Sequence, residues 1–249
     1  MSLRRTLGAL VVSLATTLAF VSAVPSPASA AAPTVATGHA SAAAATNQPS
    51  AADATDEPRR GRHGCSAAFF RSDRRLGPEV LSNSGLTGLE LRRYHRTGGL
   101  SPARFLAKYW DPTLYDGSGG WIYPPQNGYR LDSQGDPIVW TSTLAVGRYV
   151  DRYGSEYGSF LAPTGAPYAR RAIPPSNLVG TPAEQCNYYN YRVLKPLPVH
   201  VGPVAAWFEQ PGGTLQYQLD GSLIAGAPAS VNIIWLLDHG YLERVSPAA

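Results

Sequence analysis

The chain has 249 residues, and its 21 basic against 17 acidic side chains give a net charge of +4. Arg4 and Arg5 fall in a stretch with the marks of a removable leader, and without them 19 basic residues face 17 acidic ones. A surplus that small excludes charge-driven binding to nucleic acid or to a membrane surface as a leading reading.

Residues 1–30 read as a secretory signal peptide: a charged start at Arg4-Arg5, an apolar run from Leu7 to Val21, and the small-residue cleavage site Ala28-Ser29-Ala30. The apolar run is too short, and too closely followed by Pro25 and Pro27, for a membrane span. Residues 31–62 are rich in Ala, Ser, Thr and Pro and poor in large apolar side chains, the composition of a disordered tail or spacer. The mature protein is therefore expected outside the cell, with a surface association left open. The two cysteines, Cys65 and Cys186, are then expected to form a disulfide. Such a bond would close a loop of about 120 residues, worth ~4 kcal/mol on the loop-entropy account.

Folded sequence begins near Cys65. A small N-terminal lobe is expected over 63–110, where Ser101-Pro102 followed by ARFLAKYW starts a helix, Ser as N-cap and Pro in the first turn. From 111 to the C-terminus the texture changes to short runs rich in Tyr, Val, Ile and Trp, broken by Gly, Pro, Asn and Asp. Asn127-Gly128 and Gly135-Asp136-Pro137 predict turns. Strands are expected at Tyr189–Leu194, Leu197–Val199, Leu215–Leu219 and Ser222–Ile224. ASVNIIWLLDHGYL predicts one helix of about ten residues ended by Gly240. The fold class is α+β, dominated by small antiparallel or mixed sheets. No dinucleotide-binding GxGxxG follows a strand, and there is no GxxxxGK[ST], HExxH or GxSxG.

Unusual residues concentrate in YVDRYGSEYGSFLAPTGAPYARRAIPP at 149–175 and in GPVAAWFEQPGG at 202–213. Arg152 and Arg171 are each read in two ways, as a solvated surface cation or as a guanidinium fork for phosphate or carboxylate. Tyr153, Phe160 and Tyr168 are core aromatics on general grounds and alternatively rings that stack on a base or nicotinamide. Gln210 sits where Pro211, Gly212 and Gly213 set a turn that would aim its amide. Two such loops facing each other would accept a ligand that is flat and anionic. His95, His200 and His239 have no visible catalytic partner.

DRYGSEYGSFLAP, APYARRAIPPSNL, YRVLKPLPV and GPVAAWFEQPGG, in this order, resemble the TNT domain, the family of the tuberculosis necrotizing toxin. GGLSPARFLAKYW and IYPPQNGYRLDSQGDPI are similar to the lobe that precedes it in the fungal conidial surface NADases. The resemblance implies a helical N-terminal lobe on a β-rich catalytic lobe. It also implies a NAD+ glycohydrolase that splits the nicotinamide–ribose bond and needs no cofactor. It places the catalytic roles on Arg152 and Gln210, and substrate contacts on Phe160 and Arg171; Tyr168 joins them on the stacking reading of the segment's aromatics. NADP+ as a second substrate, a homodimer and an immunity protein are left open. The fungal proteins carry a calcium site near the C-terminus, but no acidic cluster stands there in this chain, so no metal is carried over. Glu209 and Thr214 replace glycines of the family's GQPGGG loop, and CNYYNY replaces its YHxY. Two alternatives stay open: an ADP-ribosyltransferase, with Glu209 the candidate glutamate, and a non-catalytic surface module.

Overall fold

The computed structural model describes residues 63–246; the signal-peptide and tail segments expected at 1–30 and 31–62 lie outside them. The described residues belong to one compact unit. Its centre is a seven-stranded, wholly antiparallel sheet formed by β3 (Trp140–Leu144), β4 (Tyr149–Tyr153), β5 (Phe160–Pro163), β6 (Tyr188–Val193), β7 (Leu197–Pro203), β8 (Leu215–Gln218) and β9 (Leu242–Val245). Their spatial order is β3-β7-β8-β5-β4-β6-β9. A two-stranded ribbon pairs β1 (Trp110–Asp111) with β2 (Gly120–Trp121). The helices are short: α1 (Gly85–Leu91), α2 (Pro102–Tyr109), α3 (Tyr168–Arg171) and α4 (Ile233–Asp238). No helix among the described residues is long and apolar enough to cross a membrane.

Side-chain alternation divides the sheet into two faces. Val150 lies opposite Pro163 and Tyr191, and Leu161 opposite Tyr217. Val150, Leu161, Tyr191 and Tyr217 join Val199, Ile233 and Leu236 in the main core, over which α4 packs. The opposite face carries the alternate residues, Asp151, Phe160, Ala162 and Gln216. That face is covered by α1, α3 and two smaller aromatic clusters, one around Tyr94, Tyr153 and Tyr168 and one around Phe105, Trp121 and Phe208.

The helix at 102 forms as the sequence predicts, with the Ser101 hydroxyl accepting the Arg104 amide and Pro102 in the first turn. The last helix is shorter than expected, six residues capped by the Asn232 side chain, because the chain must turn at Gly240 (φ 65°) to lay β9 against β6. Ser222–Ile224, expected as a strand, lies instead in a 3-10 turn at Gly221–Leu223, where the Asp220 carboxylate accepts the Ser222 amide and bends the backbone away from the sheet. The α+β class expected from the sequence holds, with antiparallel sheets and few helices, and most of the strands are gathered into one seven-stranded sheet beside the small two-stranded one.

Cys65 and Cys186 are joined by a disulfide, which ties the start of the described chain to the strand that pairs with β4. Its loop of 121 residues predicts a stabilisation of ~4 kcal/mol. Reduction under native conditions, or the double change Cys65→Ser and Cys186→Ser, should lower the melting temperature by roughly 10 °C. Thermal melting followed by circular dichroism checks this.

Candidate active site

A cavity of about 420 Å³ opens on the polar face of the sheet, and Arg152, Phe160, Arg171, Tyr123, Asn177 and Gln216 are among its lining residues. The two arginines lie in different electrostatic surroundings. Arg171 is 6 % exposed and its guanidinium is held on three sides. It pairs through both terminal nitrogens with Asp151, donates to Glu90 Oε2 at 3.1 Å, and donates from Nε to the Ala166 carbonyl at 3.0 Å. Tyr188 donates its hydroxyl to Asp151 at 3.0 Å, Tyr153 donates to Glu90 at 2.8 Å, and the Gly165 amide donates to the second Glu90 oxygen at 2.9 Å. The positive charge of Arg171 is thus cancelled inside the protein.

Arg152 makes no ion pair among the described residues. Its Nε donates to the Ser155 carbonyl at 2.6 Å and its Nη1 to the Phe160 carbonyl at 2.8 Å. Two residues beyond Val150, it starts on the core side of β4, and its guanidinium runs beneath the 155–160 turn. A Cβ at Gly158 would overlap Arg152 Nη2, so the glycine at that turn leaves the room the guanidinium occupies. Burial lowers the Arg152 pKa, yet an arginine remains charged at any working pH. The cavity therefore offers a partly desolvated cation with no direct ion pair among the described residues. The carboxylate acting on it, Glu156, is already paired with Arg244, and an anion entering the cavity meets little screening.

Phe160 and Gln216 complete the wall. Phe160 lies opposite Gln218 in the β5–β8 register, so Phe160 and Gln216 project to the same face. The Gln216 amide nitrogen donates to the Asn127 carbonyl at 2.9 Å. Asn127 and Gly128 form the turn expected from the sequence, both with positive φ (54° and 76°), and it closes one end of the cavity.

A family model described as tuberculosis necrotizing toxin matches residues 143–245. The conidial surface nicotinamide adenine dinucleotide glycohydrolase nadA of Aspergillus fumigatus (strain ATCC MYA-4609 / CBS 101355 / FGSC A1100 / Af293) is 45% identical over 174 residues, covering 70% of this chain and 69% of that protein. The chain belongs to the tuberculosis necrotizing toxin (TNT) family. Among solved structures, tuberculosis necrotizing toxin complexed with its immunity factor is similar at 19% identity, covering 71% of this chain and 79% of that one with a TM-score of 0.41. Rhs1-CT in complex with its cognate immunity protein is similar at 17% identity, covering 49% and 83%, with a TM-score of 0.28.

Within this TNT chain the structure brings together Arg152, Phe160 and Arg171, three of the residues singled out from the sequence. Tyr168 is fully buried, packs edge-on against Tyr94 and Tyr153, and donates to the Pro174 carbonyl at 2.8 Å. It is not among the lining residues of this cavity. Gln210 is also elsewhere. The turn expected at Pro211–Gly213 begins earlier, at Phe208 and Glu209 (φ 50° and 57°), and swings the Gln210 amide to the His95 carbonyl at 2.7 Å. Gln210 lines a separate cavity with Arg93, His95 and Arg170. Glu209 goes with it, paired to Lys108 at 2.6 Å and accepting the Tyr109 hydroxyl at 2.8 Å. His200 has a partner that the sequence did not reveal, Asp220 at 2.9 Å, but neither lines the Arg152 cavity.

Sequence reasoning missed Gln216, Gly158 and Glu90. Gln216 was hidden by its nearness to Gln210: Gln210 lies in the turn before β8, whereas Gln216 lies in β8 itself, where the strand register aims it at the cavity. Glu90 carries no local signal, because its partner Arg171 is 81 residues away. No group of three or more His, Cys, Asp or Glu that could hold a metal occurs among the described residues.

Two expectations follow. Gly158→Ala should displace the flexible end of Arg152 and lower turnover at least tenfold while the protein melts cooperatively, measured by activity beside a melting curve. Burial, followed by the nearby Asp151 charge, pushes Glu90 up to about 8, against the opposing pull of Arg171. The folded state then keeps a proton that the unfolded chain releases above about 4.5. The contribution of Glu90 is fully present below pH 4.5 and is lost as pH rises to about 8. Denaturant midpoints across that range should decline more steeply for wild type than for Glu90→Gln.

Proposed function

We propose that the protein is a secreted NAD+ glycohydrolase that releases nicotinamide and ADP-ribose, with NAD+ as substrate and not as cofactor. The observation that carries this reading is the Arg152 guanidinium, without a direct ion pair among the described residues, set in one cavity with an aromatic ring and an amide, in a chain 45% identical to a protein of that activity. The signal-like segment at 1–30 and the disulfide support export.

The chemistry asks little of an acid. The nicotinamide of NAD+ is already a cationic leaving group, so its departure requires no protonation. The barrier lies in the positive charge that develops on the ribose, as in glycoside cleavage. Arg152 holds the pyrophosphate and fixes the substrate's position. Phe160 packs against the nicotinamide ribose and excludes water from one side. Gln216 orients the ribose hydroxyls or the attacking water through its carbonyl oxygen, while its nitrogen is engaged by Asn127. Arg171, neutralised by Asp151 and Glu90, acts as a girder that shapes the wall in place of a phosphate ligand. Gln210 supports the loop from its own cavity. Glu209, the one glutamate considered for transfer of ADP-ribose to protein, lines that separate cavity and is paired with Lys108, which favours water as the acceptor.

Purified protein acting on etheno-NAD+ tests the assignment by fluorescence release. Arg152→Ala should lose activity by 10²-fold or more, and Gln216→Ala should lower kcat about 10²-fold, the usual scale for an oriented polar group. Gln210→Ala should keep kcat within about fivefold of wild type. Near-wild-type turnover in Gln216→Ala, or collapse confined to Gln210→Ala, would reverse the roles of the two amides.

A further inference from the structure

A third cavity, of about 360 Å³, adjoins the Arg152 cavity, and Tyr123 lines both. Its walls are Trp110, Trp121, Tyr115 and Tyr123, with Arg74 at its margin. A second link joins the two spaces. Trp121 donates its indole N–H to the Ser176 hydroxyl at 2.9 Å, and the next residue, Asn177, lines the Arg152 cavity. Tyr123 also senses charge from both sides, being pushed up by burial and Tyr115 and pulled down by Arg152.

The aromatic wall is built in advance. The ribbon sequence GSGGW brings bare backbone against two rings: a Cβ at Gly119 would lie 2.6 Å from the Trp110 ring, and one at Gly120 would lie 2.5 Å from the Tyr115 ring. Tyr115 is thus seated on the ribbon although 70 % of it is exposed. One face of this ring lies against the Gly120 backbone and most of the rest stays open to solvent, where a flat ligand could cover it. Arg75 stacks its guanidinium over Trp110 at 5.2 Å and pairs with Asp73 at 2.6 Å. Arg74 is exposed and makes no ion pair among the described residues. Ring faces beside a cation suit an adenine base next to its phosphate.

We infer that this aromatic cavity binds the adenosine half of the dinucleotide, with the base stacked on Tyr115. The inference rests on the NAD+ reading and extends it: the pyrophosphate at Arg152 passes Tyr123, and each half of the substrate occupies its own space. Both cavities fall in the size range of small-molecule sites. Tyr115, Trp110 and Arg74 then determine affinity for the adenine nucleotide and take no part in bond cleavage.

Steady-state kinetics on NAD+ with the whole protein, wild type beside Tyr115→Ala and Tyr115→Phe, tests this together with calorimetric titration of AMP. Tyr115→Ala should raise KM about tenfold with kcat within twofold, the usual worth of one stacked base, and should weaken AMP binding equally. Tyr115→Phe should restore both. An unchanged KM and AMP affinity in Tyr115→Ala, or a fall in kcat alone, would overturn the inference. Wild-type protein that leaves NAD+ intact would instead refute the activity on which it rests.

Discussion

Burying a guanidinium is tolerable only when its charge is met, and Arg171 is met by two carboxylates from distant parts of the chain. Asp151 comes from β4, Glu90 from α1, and Arg171 itself ends α3. Three elements that share no backbone pairing are thereby fixed to one point on the sheet. Removing Asp151, which holds both terminal nitrogens of Arg171, would leave a buried charge uncompensated, a loss on the order of 3–5 kcal/mol. Burial, with the Asp151 charge adding to it against the pull of Arg171, makes Glu90 hold a proton near neutral pH. Tyr153 and Tyr188 complete the shell, each donating its hydroxyl to one of the acids.

The arrangement separates two tasks that arginine can perform. Arg171 gives its charge to the fold, while Arg152 takes only carbonyl partners and keeps its charge for the cavity. Adjacent residues on one strand, Asp151 and Arg152, thus serve different purposes: alternation turns Asp151 to Arg171, while the 155–160 turn at the strand's end takes the Arg152 guanidinium to the cavity they both line. Gly158 lets the second of them turn back under its own loop. The aromatic clusters around the cavity act as ballast: Tyr94, Tyr153 and Tyr168 beneath the acid cluster, and Phe105, Trp121 and Phe208 beneath the ribbon.

Local chemistry was legible in the sequence. Ser101-Pro102 announces its helix, Asn127-Gly128 its turn, and alternating apolar residues announce β6 to β8. The two cysteines required only the expectation of export to be paired. What depended on distance was not legible. Neither the single seven-stranded order nor the link from Glu90 to Arg171 leaves a mark in any short window. Gln210 and Gln216 are six positions apart, yet the left-handed pair Phe208-Glu209 sends the first to one cavity and the β8 register sends the second to the other. Neither residue type announces such a turn, because a phenylalanine with positive φ is held there by its tertiary packing.

If the Arg152 cavity delivers ADP-ribose to water, purified protein incubated with NAD+ labelled in its adenine ring, beside a mixed protein acceptor, should release one free ADP-ribose for each nicotinamide and leave no label on protein. Label carried on protein in stoichiometric amount would make the enzyme a transferase, and intact NAD+ after prolonged incubation with the folded protein would rule out the hydrolase.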